Sequence, residues 1–387
     1  MQYRDSIFAS LLKPISRSGF KAIVKRHDAD AYDKTFGSWD HLVTLIFAQL
    51  GSVSSLRAIA SAWNANAHHH FHLGSGPVKR STFADANHRR PPEVFAETFE
   101  ALSALAGSSL RASGKQMLRL IDATPIPLDT LCGWARWNGR THGLKMHVVY
   151  DPHADHPQRI SITPSTVNDV EVGRAEPIER GATYVFDKAY CDYAWWGRIH
   201  DAGAVFVTRP KKNARYDTVQ KRRPREAQGD GFTVLADADV RLATQGREKL
   251  GCLLRLITFQ RDDGTVMVVI TNDRKRPAVV IAALYKARWA IELLFRWLKQ
   301  HLRLTRFLGR SENAIRLQIL AAMIAYLLLR IAARMSRSTL AALRFAELVS
   351  QCLFVRKSLT RLDKPPEVNP SRPQPKCHPA QLGFAYA

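Results

Sequence analysis

A run of fifteen residues, YKARWAIELLFRWLK from Tyr285 to Lys299, constrains this chain more than any other segment. Read as one helix, it gathers Tyr285, Arg288, Glu292 and Lys299 within about 60° of each other, because successive residues step by roughly 100°. Ala287, Ile291, Leu294 and Leu298 fall on the other side and are expected to pack inward. One face therefore carries a carboxylate flanked by two cations and a phenol. A carboxylate can hold a divalent metal, and Arg and Lys can hold phosphate oxygens. Such a face suits phosphodiester chemistry and directs the search toward further acids.

The charge agrees. The chain has 387 residues, a formal net charge of +23 and a pI of about 10.2, which points to a polyanionic partner, nucleic acid foremost. No lipidation motif or basic amphipathic anchor directs it to a membrane surface. The longest apolar helix expected, Leu317 to Leu329, is shorter than the roughly 20 residues a bilayer needs and reads as a core helix. The opening MQYRDSIFASLLKPISR lacks the apolar core and cleavage site of a signal peptide. Five scattered cysteines without a CxxC pair give neither a zinc ribbon nor a redox motif, and read as reduced thiols of a cytosolic, bacterial, nucleoid-associated protein.

Along the chain, residues 1–105 read as a helical N-terminal domain. Ser38 is expected to cap SWDHLVTLIFAQL, Ser54 or Ser55 to cap SSLRAIASAW, and Ser81 to open STFADANHRR. A His- and Gly-containing loop runs from Asn64 to Lys79. Two short helices there form either a helix-turn-helix-like DNA reader or plain support for the core. Residues 106–210 switch to strand signals: QMLRLIDATPIPL, LKMHVVYD, RISITPS, ATYVFDKAY and AVFVTR, with a helix from Tyr193 to Asp201 before the last. Residues 211–275 read as a β-rich insertion with a hairpin turn at Asp263-Gly264. Helices return over 276–350, and 351–387 is a Pro-rich tail.

Asp122 and Asp187 each close an apolar strand-like run. Alone, either could simply open a turn. With Glu292 they make three carboxylates, enough to hold two Mg²⁺ ions about 3.5–4 Å apart, as two-metal phosphoryl-transfer sites do. The helix pattern Y-x2-R-x3-E-x6-K resembles the signature of DDE transposases of insertion-sequence family four. IDATPI around Asp122 and DKAY at Asp187 are similar to that family's first and second acid segments. The resemblance spans roughly residues 106–335. It implies an α/β fold: a ribonuclease-H-like mixed sheet with flanking helices, interrupted by a β-rich insertion, plus an all-helical N-terminal domain. It further implies Asp122, Asp187 and Glu292 as catalytic, metal-holding triad, with Mg²⁺ in two sites and Mn²⁺ as a substitute. Tyr285, Arg288 and Lys299 would then touch the DNA backbone. The partners implied are double-stranded DNA, both transposon ends and target, and a second copy in a synaptic homodimer. The reaction implied is cut-and-paste transposition, with release through a hairpin.

Relatives that form hairpins use an aromatic residue in the insertion against a flipped base. No Trp lies between Gly197 and Ala287, so Phe232, Phe259 or Tyr216 is expected to substitute. Arg209, Lys211, Lys212, Lys221, Arg222, Arg223 and Arg225 are nearly all of one sign and read as a phosphate track. His68, His69, His70 and His72 read as surface or DNA-facing groups rather than metal ligands. Lys145 and His147 could reach DNA, or His147 could be structural. Trp195 and Trp196 read as one core and one surface residue. Two alternatives share these features: a structure-selective nuclease of the same core, and a DNA-binding protein without an assembled triad.

Overall fold

The computed structural model describes residues 5–364 apart from 32, 34, 52, 54, 112–116, 224–226, 244–249, 303 and 305; Arg225, Cys377 and the Pro-rich run from Pro365 lie outside the described residues. Seven helices come first: α1 (Ile7–Leu12), α2 (Arg17–Arg26), α3 (Ser38–Leu50), α4 (Leu56–Ala65), α5 (His70–Leu73), α6 (Arg80–Arg89) and α7 (Glu93–Arg111). Their starts show which residues cap. Ser55 accepts from the Ala58 N–H as expected, but Gly37 caps α3 and Ser38 lies inside it, its hydroxyl turned to Asp30. Lys79, not Ser81, precedes α6. Between α4 and α6 lie a 3-10 turn and α5, too much chain for a tight helix-turn-helix.

Four strands follow: β1 (Leu118–Pro127), β2 (Arg136–Trp137), β3 (His142–Asp151) and β4 (His156–Pro164). Helix α8 (Asp169–Ala175), β5 (Thr183–Phe186), α9 (Tyr193–Asp201) and β6 (Val205–Thr208) come next. Strand β1 is central. It pairs antiparallel with β3, which pairs antiparallel with β4, and on its other side it runs parallel to β5, which runs parallel to β6. A central strand with an antiparallel meander on one side and two parallel strands on the other is the ribonuclease-H-like arrangement.

Five more strands extend this sheet: β7 (Tyr216–Arg222), β8 (Gln228–Gly229), β9 (Phe232–Leu242), β10 (Leu254–Arg261) and β11 (Val266–Thr271). Strand β11 pairs with β6, so the expected β-rich insertion joins the same sheet, eleven strands among the described residues. Gly264, at φ +80°, makes the β10–β11 turn. The basic stretch at the start of the insertion contains β7, paired with β9. Its residues are mostly exposed on both faces, so no apolar alternation announced it.

The chain ends with α10 (Ala278–Lys286), α11 (Trp289–His301), α12 (Glu312–Met335) and α13 (Ala342–Gln351). Helix α12 is 24 residues long and apolar enough to cross a membrane by length and composition, longer than the sequence pattern implied. It is nonetheless a core helix, with 83% of its most apolar stretch buried inside the protein. It packs on α3, α6, α7 and β4, so the N-terminal helices and one face of the sheet share one continuous core. The opposite face holds a second core around Phe186, Trp195, Trp196 and Phe206. Both Trp195 and Trp196 are fully buried there, since α9 lies flat on the sheet. Four described cysteines, 132, 191, 252 and 352, carry free thiols.

Candidate active site

Asp122 does not end its strand. It sits in the middle of β1, opposite Val148 of β3. What ends there is the pairing with β5, whose last partner couple is Ile121 and Phe186. Asp122 and Asp187 are therefore the next residues on two adjacent parallel strands, abreast with backbones roughly 5 Å apart. Alternation aims both at one face, that of Leu120 and Val185. Beyond Asp122, β1 is an edge on its β5 side, which is where Pro125 and Pro127 become tolerable. Arg209 falls two residues after Val207, as Asp187 falls two after its partner Val185, so the row continues with a cation.

The signature run is not one helix. Helix α10 stops at Lys286 and α11 starts at Trp289, with Ala287 and Arg288 in a turn held by short-range bonds such as Arg288 N–H to the Tyr285 carbonyl at 3.1 Å. The break separates the phenol from the charges. Tyr285 is only 3% exposed, so it is not placed for the expected backbone contact. Its hydroxyl lies inside, near Arg288 and Asp187, and burial pushes its pKa up to about 12. Ile291, Leu294 and Leu298 are buried as the apolar face of α11 requires.

Arg288 ties the site together. Its Nη1 donates to Asp122 Oδ2 at 3.1 Å and its Nη2 to Glu292 Oε1 at 2.5 Å. Glu292 lies in the first turn of α11, where the helix dipole favours negative charge. Asp122 Oδ1 accepts from the Ala123 N–H at 2.8 Å. Burial nevertheless raises the Asp122 pKa to about 6, with Glu292 and Asp187 adding to the rise and Ala123 and Arg288 opposing it. Asp187 Oδ1 is buried with no hydrogen-bond partner. The face opens into a groove of about 440 Å³ lined by Asp122, Thr124, Glu292, Arg296 and Lys299. Burial lowers the Lys299 pKa.

Three carboxylates are hard oxygen donors, and the unpartnered Asp187 oxygen is the kind of atom a cation would satisfy. As folded, no group of three or more acid, His or Cys side chains among the described residues is close enough to hold a metal. Arg288 occupies two of the three carboxylates, so a cation bound there would have to displace it from Asp122 and Glu292.

The outlying candidates divide. Lys211, Lys212, Lys221 and Arg223 are exposed. Arg222 is spoken for: it pairs with the buried Asp239 at 2.8 Å and donates to the Arg274 carbonyl. Lys145 pairs with Asp169 at 2.9 Å. His147 is structural, buried and bonded to Thr163, with burial lowering its pKa to about 4. Phe232 and Phe259 cannot stack on a flipped base, because both are 1% exposed and pack on each other. Tyr216 buries its hydroxyl. Two residues were overlooked, Trp289 and Arg296. Trp289 is 50% exposed one residue past Arg288, and the Arg296 guanidinium lies 5.8 Å from its ring. Their i, i+3, i+7 spacing with Glu292 was the available signal.

Comparison with known proteins gives the family. A family model described as a transposase DDE domain matches residues 113–328, and one described as a domain of unknown function (DUF4372) matches residues 3–75. The chain is 58% identical over 303 residues to a Sinorhizobium fredii protein named as transposase y4zB, covering 78% of this chain and 85% of that one. It is 31% identical over 214 residues to a Geobacillus stearothermophilus protein named as the transposase for insertion sequence element IS5377, covering 55% and 56% of the two chains. Among solved structures, a piggyBac transposase in a synaptic complex with hairpin DNA aligns with a TM-score of 0.48 at 10% identity, covering 94% of this chain and 83% of that chain. The fold and site define an α/β protein of the ribonuclease-H-like class with clustered carboxylates. This chain belongs to the DDE transposase family.

Proposed function

We propose that the chain catalyses metal-dependent cut-and-paste transposition of an insertion sequence of family four. It hydrolyses one strand at each terminal inverted repeat, frees a 3′-hydroxyl and joins it to target DNA by direct transesterification. The observation that carries this reading is the juxtaposition of Asp122 and Asp187 abreast on parallel strands with Glu292, joined to Asp122 through Arg288. Asp122, Asp187 and Glu292 would hold Mg²⁺, with Mn²⁺ as a substitute. Bound there, two such ions would activate the attacking oxygen and offset charge on the leaving one.

The chain's own residues do the rest. The strand-borne acids stay fixed because both strands are paired up to the residue before them. When DNA enters the groove, Arg288 exchanges its carboxylates for a phosphate oxygen, and Lys299 and Arg296 hold the neighbouring backbone. Tyr285 acts from beneath as a positioning residue for Arg288, whose guanidinium lies 5.9 Å from its ring. For release through a hairpin, Trp289 is the exposed aromatic beside the acids, in place of the three buried candidates. The acting species is a homodimer that holds two ends.

The test is cleavage and joining of labelled DNA carrying the element's terminal repeat, with Mg²⁺, by wild type and Glu292→Ala. Cutting and joining that vanish in the variant while DNA binding survives support the proposal. Cutting without joining by wild type favours a structure-selective nuclease. Equal cutting by both proteins removes Glu292 from the site.

A further inference from the structure

The turn that carries the histidines is built to expose one ring. His70 is buried and stacks on Trp63 with centroids 4.5 Å apart, its Nε2 against the Trp63 carbonyl at 3.0 Å. His69 is buried and stacks on Phe354 at 5.1 Å. Leu73 is buried one helical turn from His70. With 69, 70 and 73 pinned inward, Phe71 must point out, and at 89% it is the most exposed large apolar side chain among the described residues. At that exposure the ring buries almost no area within this chain and is free to meet a partner.

The surroundings select the partner. Residues 41–84 contain no Asp or Glu, while Arg57, Lys79 and Arg80 and the exposed His68 and His72 lie within that span. Trp63 donates to the Gly76 carbonyl, and Asn64 bonds Val78 through both backbone groups, so the segment leading to Lys79 and Arg80 lies against the turn that holds His70. Asp40 is taken up by Ser75 and Gly76. Arg17, over the Trp39 ring at 3.8 Å, donates to the Gly74 carbonyl at the end of α5.

We propose that Phe71 is a wedge that inserts between base pairs of duplex DNA, with Lys79 and Arg80 on the adjoining phosphates. An apolar ring on a pinned turn, within a stretch of sequence that carries cations and no carboxylates, matches how proteins unstack and kink a base step. The inference rests on the transposase reading but concerns a surface apart from the acids, and it gives the N-terminal helices a part in gripping the DNA.

The test is titration of the full chain against two fluorescein-labelled duplexes, one from the end of the encoding element and one of mixed sequence, across a salt series. Phe71→Ala is expected to raise Kd about tenfold, as loss of base stacking does, with melting temperature and the slope of log Kd on log salt unchanged. Phe71→Trp keeps wild-type affinity. Lys79→Ala lowers the slope by about one. Wild-type Kd for Phe71→Ala overturns the wedge and leaves the cleavage site untouched. A slope that falls with Phe71→Ala also overturns it, because a phosphate contact was then lost. Wild type that binds neither duplex removes the transposase reading itself, and the wedge with it.

Discussion

The strand-borne acids and the helix-borne acid are placed by different physics. Asp122 and Asp187 are placed by backbone hydrogen bonds: the register of β1 and β5 sets them abreast whatever their side chains do. Glu292 is placed by side chains, through the buried face of α11 and its bond to Arg288. Fixed strand ends tolerate substitution without shifting the frame, whereas a helix that starts at a broken turn depends on what bridges it. The two halves should respond differently to the same kind of change.

The largest effect is expected at the strands. Asp187→Asn and Asp122→Asn should each lower cleavage by at least about a hundredfold to a thousandfold, the scale for removing one group that balances transition-state charge. Far-ultraviolet circular dichroism and DNA affinity should stay at wild-type values. Asp122→Asn carries a second expectation. Its folded pKa of about 6 lies above the ordinary 3.8, so the folded chain holds that proton more tightly than the unfolded chain. Ionising it above about pH 6 costs stability, of order 3 kcal/mol, which returns as pH falls from 6 toward 4. The Asn variant should therefore melt a few degrees higher at pH 7 and lose this dependence. Activity runs the opposite way, since protonation below about pH 6 removes a carboxylate from the site. A melting temperature that drops in Asp122→Asn would show that the Arg288 pair outweighs the burial of the charge.

Next comes the bridge. Arg288→Ala should lower cleavage about a hundredfold and leave Glu292 without its partner. Because Arg288 competes for the carboxylates, the variant should also need less Mn²⁺ to protect its site from thermal unfolding. An unchanged Mn²⁺ requirement would end the competition account. Smaller again is the basic track. Lys211→Ala should lower the salt slope of DNA binding by about one, whereas Arg222→Ala should leave the slope alone and cost about 1 kcal/mol of stability, because the buried Asp239 keeps Arg274, at 3.2 Å, as its remaining partner. The smallest effect belongs to Tyr285→Phe, which removes a buried hydroxyl and should change DNA affinity less than about twofold.

Much of this was legible in the sequence. The acids that follow the two apolar runs and the period of α11 could be read from the chain, but Asp122 lies within β1 and not at its end, where only the pairing with β5 stops. The break at Ala287–Arg288 could not be read: neither residue is a helix breaker, and α10 packs on β5, β6, β9 and β10 whereas α11 packs on β1, contacts that the local sequence does not announce. Tyr285 was misjudged for that reason alone. Phe232 and Phe259 looked available because an alternating strand has two faces, and sequence does not say which is covered. Arg222 and its neighbours looked alike as charges, and sequence does not say that Arg222 meets a buried carboxylate, Asp239 of β9. The core shared by the N-terminal helices and α12 was hidden too, since the helical pattern names an apolar face and not its partner.

The central claim is that three acids from three elements serve one cation site. Fe²⁺ substituted for Mg²⁺ and supplied with hydrogen peroxide and ascorbate generates hydroxyl radicals where it binds, and the fragments of the cut chain report the neighbouring residues. The account predicts cuts beside Asp122, Asp187 and Glu292 together, all suppressed by excess Mg²⁺ and all lost in Asp187→Asn. Cuts beside one acid only, or a pattern that Asp187→Asn leaves intact, would contradict it.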